Sequence, residues 1–105
     1  MLILPIKKLW FDMILSGEKL EEYRQIKTYY RTRFFNKGFL DSEGNPTDRQ
    51  EWILFRNGYS KGSPSFEAFC GLSIKTGNPE WGAEPNEKYY VLKILKIKIA
   101  VISSC

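Results

Sequence analysis

The densest group of chemically capable side chains lies in residues 16–24, Ser-Gly-Glu-Lys-Leu-Glu-Glu-Tyr-Arg. A helix ending at Gly17 would release Lys19 from its cap. In a strand that follows, Glu22 and Arg24 fall on one face and Glu21 and Tyr23 on the other. An ammonium, a carboxylate and a guanidinium so placed can frame the hydrogen-bonding edge of a polar ligand. The same residue types at this spacing also make an ordinary salt-bridged surface. Histidine is absent from the whole chain, which removes Ser-His and Cys-His nucleophile pairs and His-ligated zinc. Any catalysis must draw on Lys, carboxylates, Tyr, Thr or Ser.

The elements that must hold these residues are legible from periodicity. Leu2-Ile3-Leu4 is a short apolar strand, and Pro5 ends it with a fixed φ suited to the first turn of a helix. Ile6, Leu9, Trp10, Met13 and Ile14 follow at helical spacing and predict an amphipathic helix closed by Gly17 in the left-handed conformation. Residues 20–24 predict a strand. Thr28 is the expected N-cap of a second short helix, with Ile26, Tyr29, Tyr30, Arg33 and Phe34 along its stripe and Gly38 at its end. Residues 37–50, with Gly, Asn, Pro and several acids, predict an exposed loop. Residues 51–56 read as a strand before the Asn57-Gly58 turn signal, and residues 58–65 as a further loop. Residues 65–75 read as a strand interrupted by a bulge or bend at Gly71. A turn-rich loop follows over 77–85. Residues 89–102 form the longest strand, in which Leu95, Ile97 and Ile99 alternate with Lys96 and Lys98. The order β-α-β-α-β-β-β predicts one α+β domain over residues 1–105, a small mixed β-barrel with one or two short helices at one end.

Set on those elements, Gly17-x-Lys19-x-x-Glu22-x-Arg24 resembles the GxKxxExR signature of ASCH domains, relatives of the PUA RNA-binding domains. The preceding helix and the loop Asn78-Pro79-Glu80-Trp81-Gly82 look like those of small single-domain members from bacteria and phages. The likeness extends over most of the chain, with most of its specificity in the signature. It implies a PUA-like barrel whose cleft, between barrel and first helix, is lined by Lys19, Glu22 and Arg24 and takes RNA or a modified nucleoside. Some small bacterial members remove the acyl group of an N4-acylated cytidine with a Lys and a Thr of the signature and a later Glu. Lys19 matches that lysine. Glu22 stands where the threonine would be, and the later glutamate has candidates in Glu67, Glu80 and Glu84. No metal or cofactor is implied.

A lysine that acts as a base must lose its proton well below its usual ~10.4. Arg24 would push Lys19 down, whereas Glu22 would push it up and hold the ammonium charged. A carboxylate between two cations is in turn a poor base. A binding frame is therefore the leading expectation. A small amidohydrolase using Lys19 and Glu22 as catalytic residues is the alternative, and a protein-interaction adaptor working through the 78–85 loop is a third.

Trp10, Tyr23, Tyr29, Tyr30, Trp52, Tyr59 and Trp81 are candidate stacking platforms for a base, although aromatics at helical or strand spacing are usually core. Trp81, in a loop of Gly, Pro and acids, has the least reason for burial. Lys27, Arg31 and Arg33 interleave with Tyr29 and Tyr30, which suits a phosphate backbone beside stacked bases and equally a solvated face. Arg56 and Asn57 end a strand at a turn, where they either face a base edge or make a plain hairpin. The expected nucleic-acid or nucleoside contacts are Lys19, Glu22, Arg24, Lys27, Tyr29, Arg31, Arg56 and Trp81.

Length and composition set the outer bounds. The 105 residues, 43% hydrophobic and with 16 aromatics, suffice for one self-supporting core. No apolar run approaches the ~18 residues of a membrane span, and the N-terminus lacks the regions of a signal peptide. The expected location is the cytoplasm. The net charge of +4 is uneven: residues 1–33 hold seven bases and four acids, residues 34–88 six and eight, and residues 89–105 three lysines and no acid. A sheet pairing the two termini would merge the basic ends into one patch attractive to phosphate. Cys70, between Phe69 and Gly71, reads as a buried thiol, and Cys105 as a frayed end.

Overall fold

Alternation of apolar residues and two short amphipathic segments build the expected series of elements. The computed structural model describes residues 1–99. Within them run β1 (Leu2–Pro5), α1 (Lys8–Leu15), β2 (Glu21–Arg24), α2 (Thr28–Asn36), β3 (Gln50–Arg56), β4 (Ser65–Thr76) and β5 (Lys88–Ile99), with a 3₁₀ turn at Pro79–Trp81. The strands make one mixed sheet in the order β1-β3-β4-β5-β2, curled into a half-barrel. β1 runs parallel to β3, and every other pairing is antiparallel. The domain is thus α+β, as the element order requires. The anticipated continuation of the last strand to Ile102 and the frayed Cys105 lie outside the described residues.

Phe66, Ala68, Cys70 and Leu72 alternate along β4 and turn toward the concave side of the sheet, where both helices cover them. Phe11 of α1 lies 5.0 Å from Phe66, and Phe34 of α2 meets Tyr90 edge-on at 5.3 Å. Each such side chain, fully buried, contributes ~1.5–3 kcal/mol. β1 and β2 are the two sheet edges, and their backbones do not pair. A side chain spans that gap instead: Arg24 of β2 donates to the carbonyl of Pro5 at the end of β1. Proline, with no N–H to give, suits such an edge.

Several local expectations shift. The stripe of α1 is rotated, because the eight-residue helix turns Phe11 and Ile14 inward and leaves Leu9 60% exposed. In α2 only Phe34 is buried, and Lys27 takes the N-cap position expected of Thr28. The 37–50 loop is not wholly exposed: Phe39 and Leu40 are buried, and Phe39 meets Phe34 edge-on. Thr47 pins this segment, its N–H donating to Phe39 and its hydroxyl to the Gly38 carbonyl. The sheet irregularity lies beside the predicted glycine rather than at it. Phe69 pairs with Lys96 and Cys70 with Ile94, so the extra residue is Leu95 on β5, where the clean alternation gave no signal. Among the described residues the two basic segments do meet in the sheet, through β2 paired on β5, while β1 lies against β3.

Cys70 is fully buried, and that desolvation pushes its thiol up to about 12. In a Cys105→Ser variant, an aromatic disulfide reagent at pH 8 should therefore modify Cys70 only as fast as the protein unfolds. Prompt reaction of the native protein would contradict this packing.

Candidate ligand-binding cleft

The chain reverses sharply between α1 and β2. Gly17 adopts φ +83°, and the N–H groups of Glu18 and Lys19 both donate to the Met13 carbonyl. This reversal drives Lys19 inward, and its side chain has no solvent exposure. The Lys19 Nζ donates to the Trp81 carbonyl at 2.5 Å and stands 3.3 Å from Glu22 Oε1. The faces of Trp10 and Tyr23 enclose it, with centroids at 4.9 and 4.8 Å. Burial pushes the Lys19 ammonium below its ordinary range; Glu22 acts in the opposite direction and Arg24 in the same one. Glu22 thus raises Lys19 and Arg24 lowers it as expected, but the net direction is downward because desolvation of the sealed side chain outweighs the carboxylate.

The other Glu22 oxygen binds Arg24 at 2.7 Å. Arg24 also reaches the Pro5 carbonyl at 2.8 Å and the Tyr30 hydroxyl at 3.4 Å. Its side chain is 8% exposed, and its buried Nε–H has no acceptor. The result is a continuous run from Trp81 through Lys19, Glu22 and Arg24 to the first turn of α2. Tyr23, on the opposite face of β2, ties down the same loop that supplies the Trp81 carbonyl: its hydroxyl accepts from the Asn78 N–H and donates to Glu21. Burial raises this phenol above its ordinary value. Gly82, at φ +103°, lies under the Trp10 ring, where a Cβ would come within 2.9 Å of it.

A cleft of about 670 Å³ opens in front of this run. Ile6, Lys7 and Trp10 form one side of it, and Tyr30 and Lys27 another. Glu22 and Arg24 form the floor, and Asn57, Gly58 and Tyr59 stand opposite. Tyr59 is 89% exposed. Of the eight expected contacts, Glu22, Arg24 and Lys27 line the cleft. Lys19 lies behind the floor, and Trp81 does not line the cleft; its backbone carbonyl accepts from Lys19. Tyr29 is half exposed on the outer side of α2, with the Arg33 guanidinium 3.5 Å from its ring centre. Arg31 lines a smaller cleft of about 310 Å³ with Lys27, Glu43 and Gly44. Arg56 sits behind the Asn57–Tyr59 wall, its carbonyl accepting from the Ile6 N–H.

Glu67, Glu80 and Glu84 do not line the cleft: Glu67 sits opposite Lys98 on β4, and the other two are exposed. Glu22 is the one carboxylate lining it among the described residues. Lys7 and Gln25 were missed from sequence because only the fold brings the starts of both helices to one place. Among the described residues, no cluster of three or more Cys, Asp or Glu could hold a metal ion, and no helix is long and apolar enough to cross a membrane.

No family model, curated protein or solved structure matches this chain. The cleft's own groups define its chemistry: flat apolar surfaces on the walls, and a hydrogen-bonding floor whose charges are already paired. Such a floor recognises polar edges well and moves protons poorly.

Proposed function

We propose that the chain is an ASCH-type, PUA-like module that binds RNA or a modified nucleoside in this cleft. Glu22 and Arg24 read the polar edge of a base, and Trp10, Tyr30 and Tyr59 offer rings to its face. The observation that carries this reading is the paired Glu22 and Arg24, 2.7 Å apart and lining one cleft with the rings of Trp10 and Tyr30. Lys19 supports this floor as a positioning residue, since its three N–H directions are taken by Trp81, Glu22 and the enclosing rings.

One observation favours a second reading, hydrolysis of an N4-acylated cytidine: burial moves Lys19 toward the neutral amine that such a base requires. For that chemistry Lys19 must first part from the Trp81 carbonyl and from Glu22.

The test is an amide chemical-shift titration with a short single-stranded RNA and with N4-acetylcytidine. Shifts should centre on Trp10, residues 22–30 and residues 57–59. Arg24→Gln, if its spectrum remains that of a folded protein, should weaken binding roughly 10- to 100-fold, the worth of a charge-assisted hydrogen bond. Binding that ignores Arg24→Gln would overturn the proposal. Acetate release from N4-acetylcytidine that disappears with Lys19→Met would establish the hydrolase instead.

A further inference from the structure

The last strand outruns its neighbour. β5 spans Lys88–Ile99, but β2 pairs only with residues 90–93, and one further bond, from the Ile94 N–H to the Leu20 carbonyl, closes that side. Beyond it, residues 96–99 pair with β4 on one side and with nothing among the described residues on the other. Such an edge leaves alternate N–H and C=O groups without a strand to bond. Its apolar face is uncovered as well. Ile97 and Ile99 stand directly across from Ala68 and Phe66, which are fully buried, yet they are 37% and 64% exposed. Leu20 and Leu95 beside this edge are exposed too. Lys96 and Lys98 occupy the opposite face. Lys96 leans over the Phe69 ring at 5.6 Å, Lys98 lies across from Glu67 in register, and neither lysine makes an ion pair among the described residues. None of residues 95–99 lines the ligand cleft.

We propose that residues 95–99 of β5 form a strand-addition site for an extended segment of another protein in which apolar and acidic residues alternate. The open backbone groups bond the incoming strand, and the two faces of the edge set its pattern. Residues of the partner beside Ile97 and Ile99 must be apolar, because that face continues the buried side of the sheet from Phe66 and Ala68. Those beside Lys96 and Lys98 must be acidic, because no carboxylate among the described residues pairs with either lysine. The same charges select against a second copy of this chain. Any register that keeps the isoleucines of both copies on one face sets lysine against lysine, and like charges directly opposite destabilise a sheet. Residues 100–105, Ala-Val-Ile-Ser-Ser-Cys, contain no acid and so do not supply the complementary charge.

The experiment titrates the full chain with three capped peptides of about seven residues, enough to span the edge. One alternates valine with glutamate, one alternates valine with lysine, and one carries the same valines and glutamates in two separate blocks. Amide shifts and hydrogen exchange are followed together. The alternating valine-glutamate peptide should shift residues 94–99, slow amide exchange at alternate positions among them, and bind roughly 10-fold more tightly than the other two. The Lys96→Glu/Lys98→Glu double variant changes only exposed side chains, and it should transfer the preference to the valine-lysine peptide. Equal binding of the block peptide would mean charge attraction without strand addition and would overturn the proposal. A parental preference for the valine-lysine peptide, or no binding of any of the three, would overturn it as well. Slow exchange at residues 95–99 in the peptide-free chain would mean an edge already occupied. Protection that grows with concentration, with a dimer in sedimentation, would assign the edge to a second copy; protection independent of concentration would assign it to this chain itself. Either outcome removes the site.

Discussion

Replacing Lys19 with methionine is expected to cost about 3–5 kcal/mol of folding stability, the range seen when one partner of a buried ion pair is removed. Methionine keeps an unbranched side chain between Trp10 and Tyr23 but provides no donor. The Trp81 carbonyl then loses its hydrogen bond, and Glu22 Oε1 loses its nearest cation. For a domain of this size such a loss lowers the thermal midpoint by roughly 12 °C or more. Adding Glu22→Gln to Lys19→Met should recover part of it, because the orphaned charge is then gone. Urea unfolding of the single and double variants gives both numbers, and a single-variant cost below about 1 kcal/mol would mean that the ion pair carries little.

The same substitution has a pH signature. Burial holds the Lys19 pKa lower in the folded chain than in the unfolded one, so between the folded value and the unfolded ~10.4 the unfolded chain binds more protons. The charged form therefore penalises folding below that window, and the Lys19 contribution becomes more favourable as pH rises through it. Tyr23 and Cys70 are both raised by burial, so they act with the opposite sign and weaken the fold as their unfolded counterparts ionise above ~10 and ~8.5. The informative quantity is the difference between parent and Lys19→Met, in which the latter two effects cancel. That difference should grow with pH across the window; a flat one would mean that Lys19 is not perturbed.

The sequence pattern carried the order of elements and the floor of the cleft, for different physical reasons. Alternation and helical spacing are local, so the series of strands and helices could be read directly, and the alternation of β2 put Glu22 and Arg24 on one face. The walls of the cleft are not local. Lys7, Gln25 and Lys27 meet only because β1 and β2 are opposite edges of a curled sheet, and no spacing within one segment encodes that. Lys19 was misjudged on its environment: its neighbours in sequence are charged, yet Trp10 and Tyr23 cover it and water does not reach it. Trp81 matters through its backbone, which side-chain type cannot reveal. The 78–85 loop, read as a partner-contacting segment for an adaptor, turns its Trp81 carbonyl to Lys19 and its Asn78 N–H to Tyr23.

Phe34→Ala should be about as costly as Lys19→Met, roughly 3–5 kcal/mol, by leaving a cavity beneath α2. Phe34 is the one buried residue of that helix, and it touches Tyr30, Phe39 and Tyr90. Apart from the half-buried Tyr30, which packs on the core and meets Arg24, it is the helix's main hold on the sheet, and helices of this length do not persist on propensity alone. The milder Phe34→Leu, expected to cost about 1–2 kcal/mol, keeps the fold and isolates the functional consequence. Tyr30 stacks on Phe34 at 6.1 Å and receives the Arg24 guanidinium, so a loosened Phe34 frees the cleft wall and the N-terminus of α2 together. Ligand affinity should then fall several-fold in Phe34→Leu although no ligand-facing group has changed. Affinity that stayed at the parental level while stability fell would show that the cleft does not depend on the seating of α2. In that case β2 alone, through Glu22 and Arg24, would set the binding surface.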